Sequence, residues 1–490
     1  MSSPGESLCA FLNGCCERAD ASLPSGRAKD TIAAVRERLS EELLRVAVGG
    51  RLNAGKSTLV NSLLGTKLAA TDATECTRLV SWFKYGLIDQ VVVRLRDGRS
   101  VTLWGQPLAA AVTRAGCPAG DIAVIEVQSS NDTLKARYTV VDTPGLDSTS
   151  DLDAMSLAAL RQADVLLYVL PHPGQNDIEA LAKLRETAGE AGITALSTIG
   201  VLSRIDELGD GDGDPWPRAR RIAGRYENQL PALVGAVIPV VGLLAETACG
   251  DQFSEADMGP LRELHRLSAA DPAAIEAALY TSEDFRTHPM IKISAEDRDR
   301  LLSMLGRYGI RAALAELDRG IQAAATLMPA LRARSGIDVL LDQLKRQFLG
   351  LADPLRARWA LQALDAVTWL GTSPAEVAAL TRLRDELDMV RVHPKLRQFG
   401  LMDSLTDLEA GHWQAPEDAA AELAALVTGT DLPAQLRTGQ GTPPAELRAL
   451  LVKRITAWHV LENTSARATA RHARAVREYL ESLFASLPRA

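Results

Sequence analysis

No stretch of this 490-residue chain approaches the roughly eighteen consecutive apolar residues of a membrane span, and no charged-then-apolar leader stands at its start. It is expected neither to cross a bilayer nor to enter a secretory route on its own account. No C-x-x-C pair occurs among the six cysteines (Cys9, Cys15, Cys16, Cys76, Cys117, Cys249), and no histidine partners them at zinc spacing. Reduced thiols in a cytoplasmic protein are the expectation. The seven histidines form no catalytic or metal constellation. Basic residues are not in excess either: 54 Lys and Arg face 62 Asp and Glu, a net charge of −8. That balance argues against a large RNA or duplex footprint, so no nucleic-acid partner is expected, although a local basic face stays possible. Internal repeats and low-complexity tracts are absent.

What is present is ordinary globular material, 47% apolar and 24% charged, in a chain longer than one core usually supports. Two or three domains are expected.

The most informative stretch is Gly50-Arg51-Leu52-Asn53-Ala54-Gly55-Lys56-Ser57, a complete G-x-x-x-x-G-K-[ST] phosphate loop. Val46-Ala47-Val48 before it reads as a buried strand, and Ser57 to Leu64, beginning Ser57-Thr58-Leu59, reads as a helix, which is the context the motif requires. Glycines let backbone N–H groups close around a pyrophosphate, and the helix N-terminus adds partial positive charge. Lys56 would reach the terminal phosphates and Ser57 would ligate Mg²⁺.

A polar, aperiodic loop follows, from Gly65 to Arg78, in which Thr77 is the expected residue to close on metal and terminal phosphate, ahead of Thr74 and Thr71. Strand-like segments then run at 79–83, 91–95, 100–104, 122–127 and 138–141, with Asp97-Gly98 as a hairpin signal. The last of them ends in Asp142-Thr143-Pro144-Gly145. D-x-x-G alone is weak, but at a strand end downstream of a phosphate loop it assigns Asp142 to Mg²⁺ through water and the Gly145 N–H to a γ-phosphate. Lys56, Ser57, Thr77 and Gly145 are thus the candidate catalytic set. Leu146 follows Gly145 and cannot orient water by hydrogen bonding, so catalysis needs another group, such as Thr77, a backbone carbonyl or a second subunit.

Alternation continues with a strand at 165–170, a helix at 177–188 and a strand at 196–202 that ends in Ser203-Arg204-Ile205-Asp206. A carboxylate at Asp206 accepts both the N1–H and the exocyclic amine of guanine, a donor pair adenine lacks, and the stem of Arg204 would lie along the base. The usual form is N-K-x-D or T-K-x-D, so Ser203 and Arg204 depart from it. Asp210-Gly211-Asp212-Gly213-Asp214 resembles a calcium loop, but its twelfth position is Arg221 where a bidentate Glu is needed, and it reads as a solvated turn. A last strand at 236–241 runs through Val241 into Gly242, expected to back the base.

In motif order and spacing the chain resembles the dynamin-like GTPases, and among them the smaller, isoniazid-inducible bacterial dynamin-like proteins. The residues that carry the likeness are Gly49-Gly50 with 54–61, Thr71 to Glu75, Thr77-Arg78 and 141–145. It is specific over about 40–250 and looser beyond. It implies a GTPase head on a helical neck or trunk, head-to-head pairing that stimulates hydrolysis, and membrane remodelling, with a second copy or a second dynamin-like chain as partner. An anionic membrane surface on the inner face of the cell membrane would be its place of work. Many members carry Gln-Ser where this chain has Leu52-Asn53, which puts the loop's water-positioning role in doubt. Arg51 would be an internal arginine finger, or face solvent or an interface.

From about residue 255 strand patterns vanish and helical ones take over, for example Leu301, Leu305 and Tyr308, then Leu314, Leu317, Ile321, Ala325 and Met328, with Pro329 expected to end or bend the helix. Further helices are expected at 337–349, 355–370, 374–390, 416–427 and 444–486, forming a bundle that recruits an amphipathic helix carrying Ile32, Val35 and Leu39. Residues 1–25 read as a frayed helix at most. Phe399-Gly400-Leu401-Met402 reads as a break between helices, either a buried turn or a membrane-inserting tip; Arg467, Arg471 and Arg474 line one side of the last helix, solvated or facing anionic lipid.

The expected fold is therefore α/β plus all-α: an N-terminal helical segment at 1–40, a dynamin-type GTPase domain with a mixed, mostly parallel sheet at 41–255, and an elongated helical bundle at 256–490. Two other functions stay open. A regulatory GTPase of ribosome assembly would carry a basic RNA module that is not visible. A weakly hydrolysing or non-hydrolysing GTP-binding subunit of a larger assembly is compatible with Leu52, Leu146 and Arg204.

Overall fold

The computed structural model describes residues 7–69, 79–105, 108–130, 138–144, 158–171, 197–208, 214–229, 234–409, 411–429, 431–439 and 441–487. Nine strands form one sheet among them: β1 (Leu44–Gly50), β2 (Ser81–Tyr85), β3 (Gln90–Leu95), β4 (Ser100–Trp104), β5 (Ile122–Ser129), β6 (Tyr138–Asp142), β7 (Val165–Leu170), β8 (Thr198–Leu202) and β9 (Ala236–Pro239). Their order is β4-β3-β5-β2-β6-β1-β7-β8-β9. From β6 to β9 every pairing is parallel, whereas β2 runs antiparallel to β6 and β3 antiparallel to both β4 and β5. The sheet is mixed and mainly parallel, as the sequence implies. β1, β7 and β8 are buried along their whole length, which is why they read as unbroken apolar runs rather than alternations. The edge strand β4 alternates exposed and half-buried positions. The β3–β4 turn is the Asp97-Gly98 hairpin, with Gly98 at φ 87°.

Parallel strands joined by crossovers deliver their carboxyl ends to one edge, and that edge is where ligands bind in such sheets. Val48 is in register with Asp142, and Gly50 with Val169. The ends of β1, β6, β8 and β9 therefore meet beside the helix Lys56–Leu64.

The apolar core is continuous across residue 255. Tyr168 and Leu202 of the sheet share one cluster with Leu261, Leu305 and Leu327 from the helices Glu255–Ala270, Ala295–Asp318 and Ala324–Ser335. On the other face, Val48 and Ile238 share a cluster with Leu340 and Leu344 of the helix Ile337–Phe348. A third core joins the helices Leu8–Ser22 and Arg27–Leu39 to Ala352–Val367 and Pro374–Arg391, and a fourth lies among residues 401–487. Among the described residues no helix is long and apolar enough to cross a membrane.

Several expectations are corrected. Residues 8–22 are a packed helix, not a frayed one: Leu12, Cys15 and Cys16 are fully buried, and Asp353 accepts hydrogen bonds from the N–H groups of Leu8 and Cys9 at 2.9 and 3.1 Å. Its apolar stripe is built partly from cysteine and alanine, which behave there as small hydrophobes. Pro329 neither ends nor begins a helix. It sits inside Ala324–Ser335, which Leu327 and Leu331 bury; the expected run from Leu314 to Met328 is broken instead between Asp318 and Ala324, and a separate kink stands at Gly306, at φ 61° and ψ 179° within Ala295–Asp318. Phe399-Gly400-Leu401-Met402 lies inside the helix Pro394–Glu409 with Phe399 and Leu401 buried, so it is no exposed tip. The segment 444–486 is two helices, Pro444–Thr464 and Arg467–Ser486. Arg474 and Arg477 of the second both donate to Glu462 at 2.7 Å. A helix at Leu108–Ala115 is an addition the sequence reading lacks. The expected helix at 177–188 lies outside the described residues.

Candidate functional site

The phosphate loop needs its glycines for stated reasons. Gly50 leaves β1 at φ 144°, where a Cβ would stand 2.7 Å from the Val169 carbonyl oxygen. Gly55 is left-handed at φ 95° and opens the helix Lys56–Leu64, while Asn53 holds φ 58° without being glycine. Lys56 is buried and its ammonium donates to the Arg51 carbonyl at 2.8 Å, so it is folded across the loop it would serve. Leu52 is 58% exposed.

Ser57 Oγ donates to Asp142 Oδ2 at 3.1 Å. Burial pushes the Asp142 carboxyl up to about 6, against the opposing pull of Lys56 and of the Ser57 and Thr143 hydrogen bonds. Its second oxygen, Oδ1, is buried with no hydrogen-bond partner among the described residues. A hydroxyl and an orphaned carboxylate oxygen beside a lysine are the hard-oxygen donors Mg²⁺ takes, so the residues fit that ion. Thr143 Oγ1 donates to the Val48 carbonyl at 2.8 Å and fixes the end of β6 against β1.

A cleft of about 220 Å³ adjoins the loop, lined by Gly55 and Thr58 on one side and by Ser203, Arg204, Asp206 and Gly242 on the other. Ser203 is buried and donates through Oγ to the Ala54 carbonyl at 2.7 Å. Arg204, itself left-handed at φ 52°, donates to the Asn53 carbonyl at 2.9 Å. The two departures from the usual base-recognition motif thus both reach the phosphate loop and tie the end of β8 to it. Asp206 follows in the 3-10 turn Ile205–Glu207. Burial raises its carboxyl and Glu207 adds to this, with Arg204 and Arg307 opposing. A half-buried carboxylate at the lining of the cleft suits a ligand that brings two donors.

Val241 caps the helix Gly242–Cys249, and its N–H donates to the Ser335 carbonyl at 2.9 Å. The residue after Ser335, Gly336, caps the helix Ala324–Ser335 at φ 81°, and a Cβ there would lie 2.5 Å from the Pro239 carbonyl and 2.7 Å from the Trp216 ring. The base-side loop is therefore seated directly on the helical part of the chain.

The structure brings together Gly50, Arg51, Leu52, Asn53, Ala54, Gly55, Lys56, Ser57, Thr58, Asp142, Ser203, Arg204, Asp206, Val241 and Gly242 at one edge of the sheet, Leu52 as an exposed member of the loop. Thr77 and Gly145 lie outside the described residues, as do Leu146 and Arg78. Val240 and Leu243, which also line the cleft, were missed by sequence reasoning. Their only signal is position, flanking Val241-Gly242 at the end of the last strand.

A model of the dynamin family matches residues 46–205, which span the phosphate loop, Asp142 and the first residue pair of the base-side turn. The isoniazid-induced protein IniC of Mycobacterium tuberculosis (strain CDC 1551 / Oshkosh) is 30% identical over 417 residues, covering 81% of this chain and 80% of that one. A bacterial dynamin-like protein of Nostoc punctiforme is 26% identical over 155 residues, 29% of this chain and 22% of its own. A solved structure from an oligomerised bacterial dynamin pair, described as sensing and tethering membranes, aligns over 99% of this chain and 75% of that one, with 13% identity and a TM-score of 0.33. By the extent of the match to IniC together with the family model, the chain belongs to the dynamin family of GTPases, as a bacterial dynamin-like protein.

Proposed function

We propose that this chain binds and hydrolyses Mg²⁺·GTP, and that pairing of its heads, with a second copy or a second dynamin-like chain, couples hydrolysis to remodelling or maintenance of a membrane. The observation that supports the reading is the phosphate loop itself, with the Ser57–Asp142 pair at its helix and Ser203 and Arg204 tying to it the turn whose Asp206 lines the adjoining cleft.

The phosphate loop and the start of the helix Lys56–Leu64 offer backbone N–H groups and a partial positive charge to the β- and γ-phosphates. On phosphate binding, the Lys56 ammonium exchanges its Arg51 carbonyl partner for phosphate oxygens. Ser57 and Asp142 would hold Mg²⁺, which when bound neutralises phosphate charge. Asp206 accepts the two guanine donors and so selects GTP over ATP. Thr77 and Gly145 complete the set by sequence. Because the side chains of Leu52 and Leu146 cannot hydrogen-bond, this chain brings few groups of its own to orient the attacking water, and hydrolysis is expected to be slow until a partner head supplies the rest. The place of work is the cytoplasmic face of a membrane, reached directly or through the partner.

The test is GTPase activity as a function of protein concentration, with and without anionic liposomes, beside Lys56→Ala. Specific activity that rises with concentration supports head pairing, and co-pelleting with liposomes supports direct membrane contact. Activity that is flat and independent of Lys56 contradicts the enzyme reading.

A further inference from the structure

One fully buried polar side chain next to this site has no part in the scheme above. Asn61 lies one turn after Ser57 on the helix Lys56–Leu64 and uses every hydrogen-bonding position of its amide. Oδ1 accepts from the backbone N–H of Leu68 at 3.0 Å and of Ala69 at 2.7 Å. Nδ2 donates to the Ala69 carbonyl at 3.1 Å and to Glu246 Oε1 at 2.7 Å. The Asn61 carbonyl also accepts from the N–H of Gly65, the left-handed cap at φ 68° that turns the chain back. Glu246 belongs to the helix Gly242–Cys249, whose first residue lines the guanine-side cleft, and it too is buried.

A single side chain therefore joins the metal-side helix, the base-side helix and Leu68 and Ala69, the last described residues before Thr77 in sequence. Burying an amide and a carboxylate is costly, and for packing alone two apolar residues would serve at least as well. What the polar pair adds is direction: three of its bonds fix the backbone of Leu68 and Ala69, and the fourth fixes the amide.

We propose that Asn61, held by Glu246, is a positioning residue that sets where the threonine-bearing loop departs, and thereby governs the rate of GTP turnover rather than nucleotide affinity. The proposal rests on the GTPase reading for its effect on rate, but not for the clamp itself. Asn61 touches neither nucleotide nor metal in this scheme and acts only through the backbone it holds.

The experiment uses the full chain as wild type, Asn61→Asp, Glu246→Gln and the double variant. Asn61→Asp sets a carboxylate against Glu246. The double variant restores one donor and one carboxylate in exchanged order, and Glu246→Gln alone keeps an acceptor for Asn61. Hydrogen exchange at the Leu68 and Ala69 amides is read together with kcat, KM and the Kd for a fluorescent GDP. Asn61→Asp is expected to speed that exchange about a hundredfold and lower kcat tenfold or more, with KM and Kd within threefold. The double variant, which restores the bond between 61 and 246 but no donor to the Ala69 carbonyl, is expected to recover at least threefold of each loss without reaching wild type, and Glu246→Gln to stay near wild type. If Asn61→Asp does not fold, Asn61→Ser, too short to reach both backbone groups, takes its place with the same expectation. The proposal is overturned if the folded variant exchanges and turns over like wild type, or if kcat and Kd worsen together. Failure of the GTPase reading looks different, because the wild type itself then shows no turnover while exchange at Leu68 and Ala69 still decides the clamp.

Discussion

Ser57 Oγ and Asp142 Oδ2 stand 3.1 Å apart, which joins the first turn after the phosphate loop to the last residue of β6 and leaves Asp142 Oδ1 buried and unpartnered. Such a carboxylate is a liability in the empty protein. Its folded-state pKa of about 6 lies above the ordinary carboxyl value of 3.8, so the native state binds more protons than the unfolded state between those values. Stability from this group is present below about pH 4 and is lost as pH rises towards 6, a cost of about 3 kcal/mol at neutral pH. Asp142→Asn is expected to stabilise the nucleotide-free protein by an amount that grows from nothing near pH 4 to its full size above pH 6. It should also abolish Mg²⁺-dependent stabilisation by GTP. Denaturant titrations across pH, with and without Mg²⁺·GTP, check both halves.

Asp206→Asn replaces a two-point acceptor by an amide that meets one guanine donor with its own. GTP affinity is expected to fall at least about a hundredfold, near 3 kcal/mol, because a buried donor loses its partner. Xanthosine triphosphate, which carries a carbonyl where guanine has its amine, should gain. Because burial raises Asp206 in the empty site, GTP binding to the wild type should weaken as pH falls through its titration. Competition against a fluorescent guanine nucleotide measures all three.

Gly336→Ala tests how firmly the helical part seats the base-side loop. A Cβ 2.5 Å from the Pro239 carbonyl, at φ 81°, forces the strand end or the helix to shift. The expected cost is about 2 to 4 kcal/mol of stability, with weaker GDP binding although residue 336 touches no ligand. Thermal unfolding with and without GDP reads the two effects separately.

The fold was legible where chemistry or strand burial marks it and illegible where packing alone decides. The phosphate loop, Asp142 and Ser203 to Asp206 announce themselves because phosphate, metal and guanine each demand particular residue types at strand ends. β1 and β7 were legible as unbroken apolar runs. The helix Leu8–Ser22 was not, since its buried positions include Cys9, Cys15, Cys16 and Ala19, residues that hydrophobic patterning ranks below Leu and Ile. Pro329 does not end its helix, because a local breaker is tolerated where Leu327 and Leu331 are buried on either side of it. Asn61 is legible only as the end of the stretch 54–61 that carries the family likeness; its bonds to Leu68 and Ala69 depend on how the chain folds back over it.

The buried pair Arg38–Asp164 locks the helix Arg27–Leu39 to the sheet, and Asp164 Oδ2 also accepts the Arg45 backbone N–H at 2.8 Å. Arg38→Ala leaves a buried carboxylate uncompensated and is expected to cost about 3 to 5 kcal/mol. Arg38→Met with Asp164→Asn, which keeps an acceptor for Arg45, should recover most of the loss. Guanidinium unfolding of the three proteins tests this, and GDP affinity of the folded double variant should match wild type.

Calorimetric titration of the purified full chain with GTP and with ATP, each in the presence of Mg²⁺ and repeated on Lys56→Ala, bears most directly on whether Lys56, Asp142 and Asp206 serve one guanine nucleotide. The expected result is saturable, Mg²⁺-dependent binding of GTP, at least a hundredfold weaker binding of ATP, and loss of the GTP signal in Lys56→Ala. Equal affinity for the two nucleotides, or no heat with either, would contradict it.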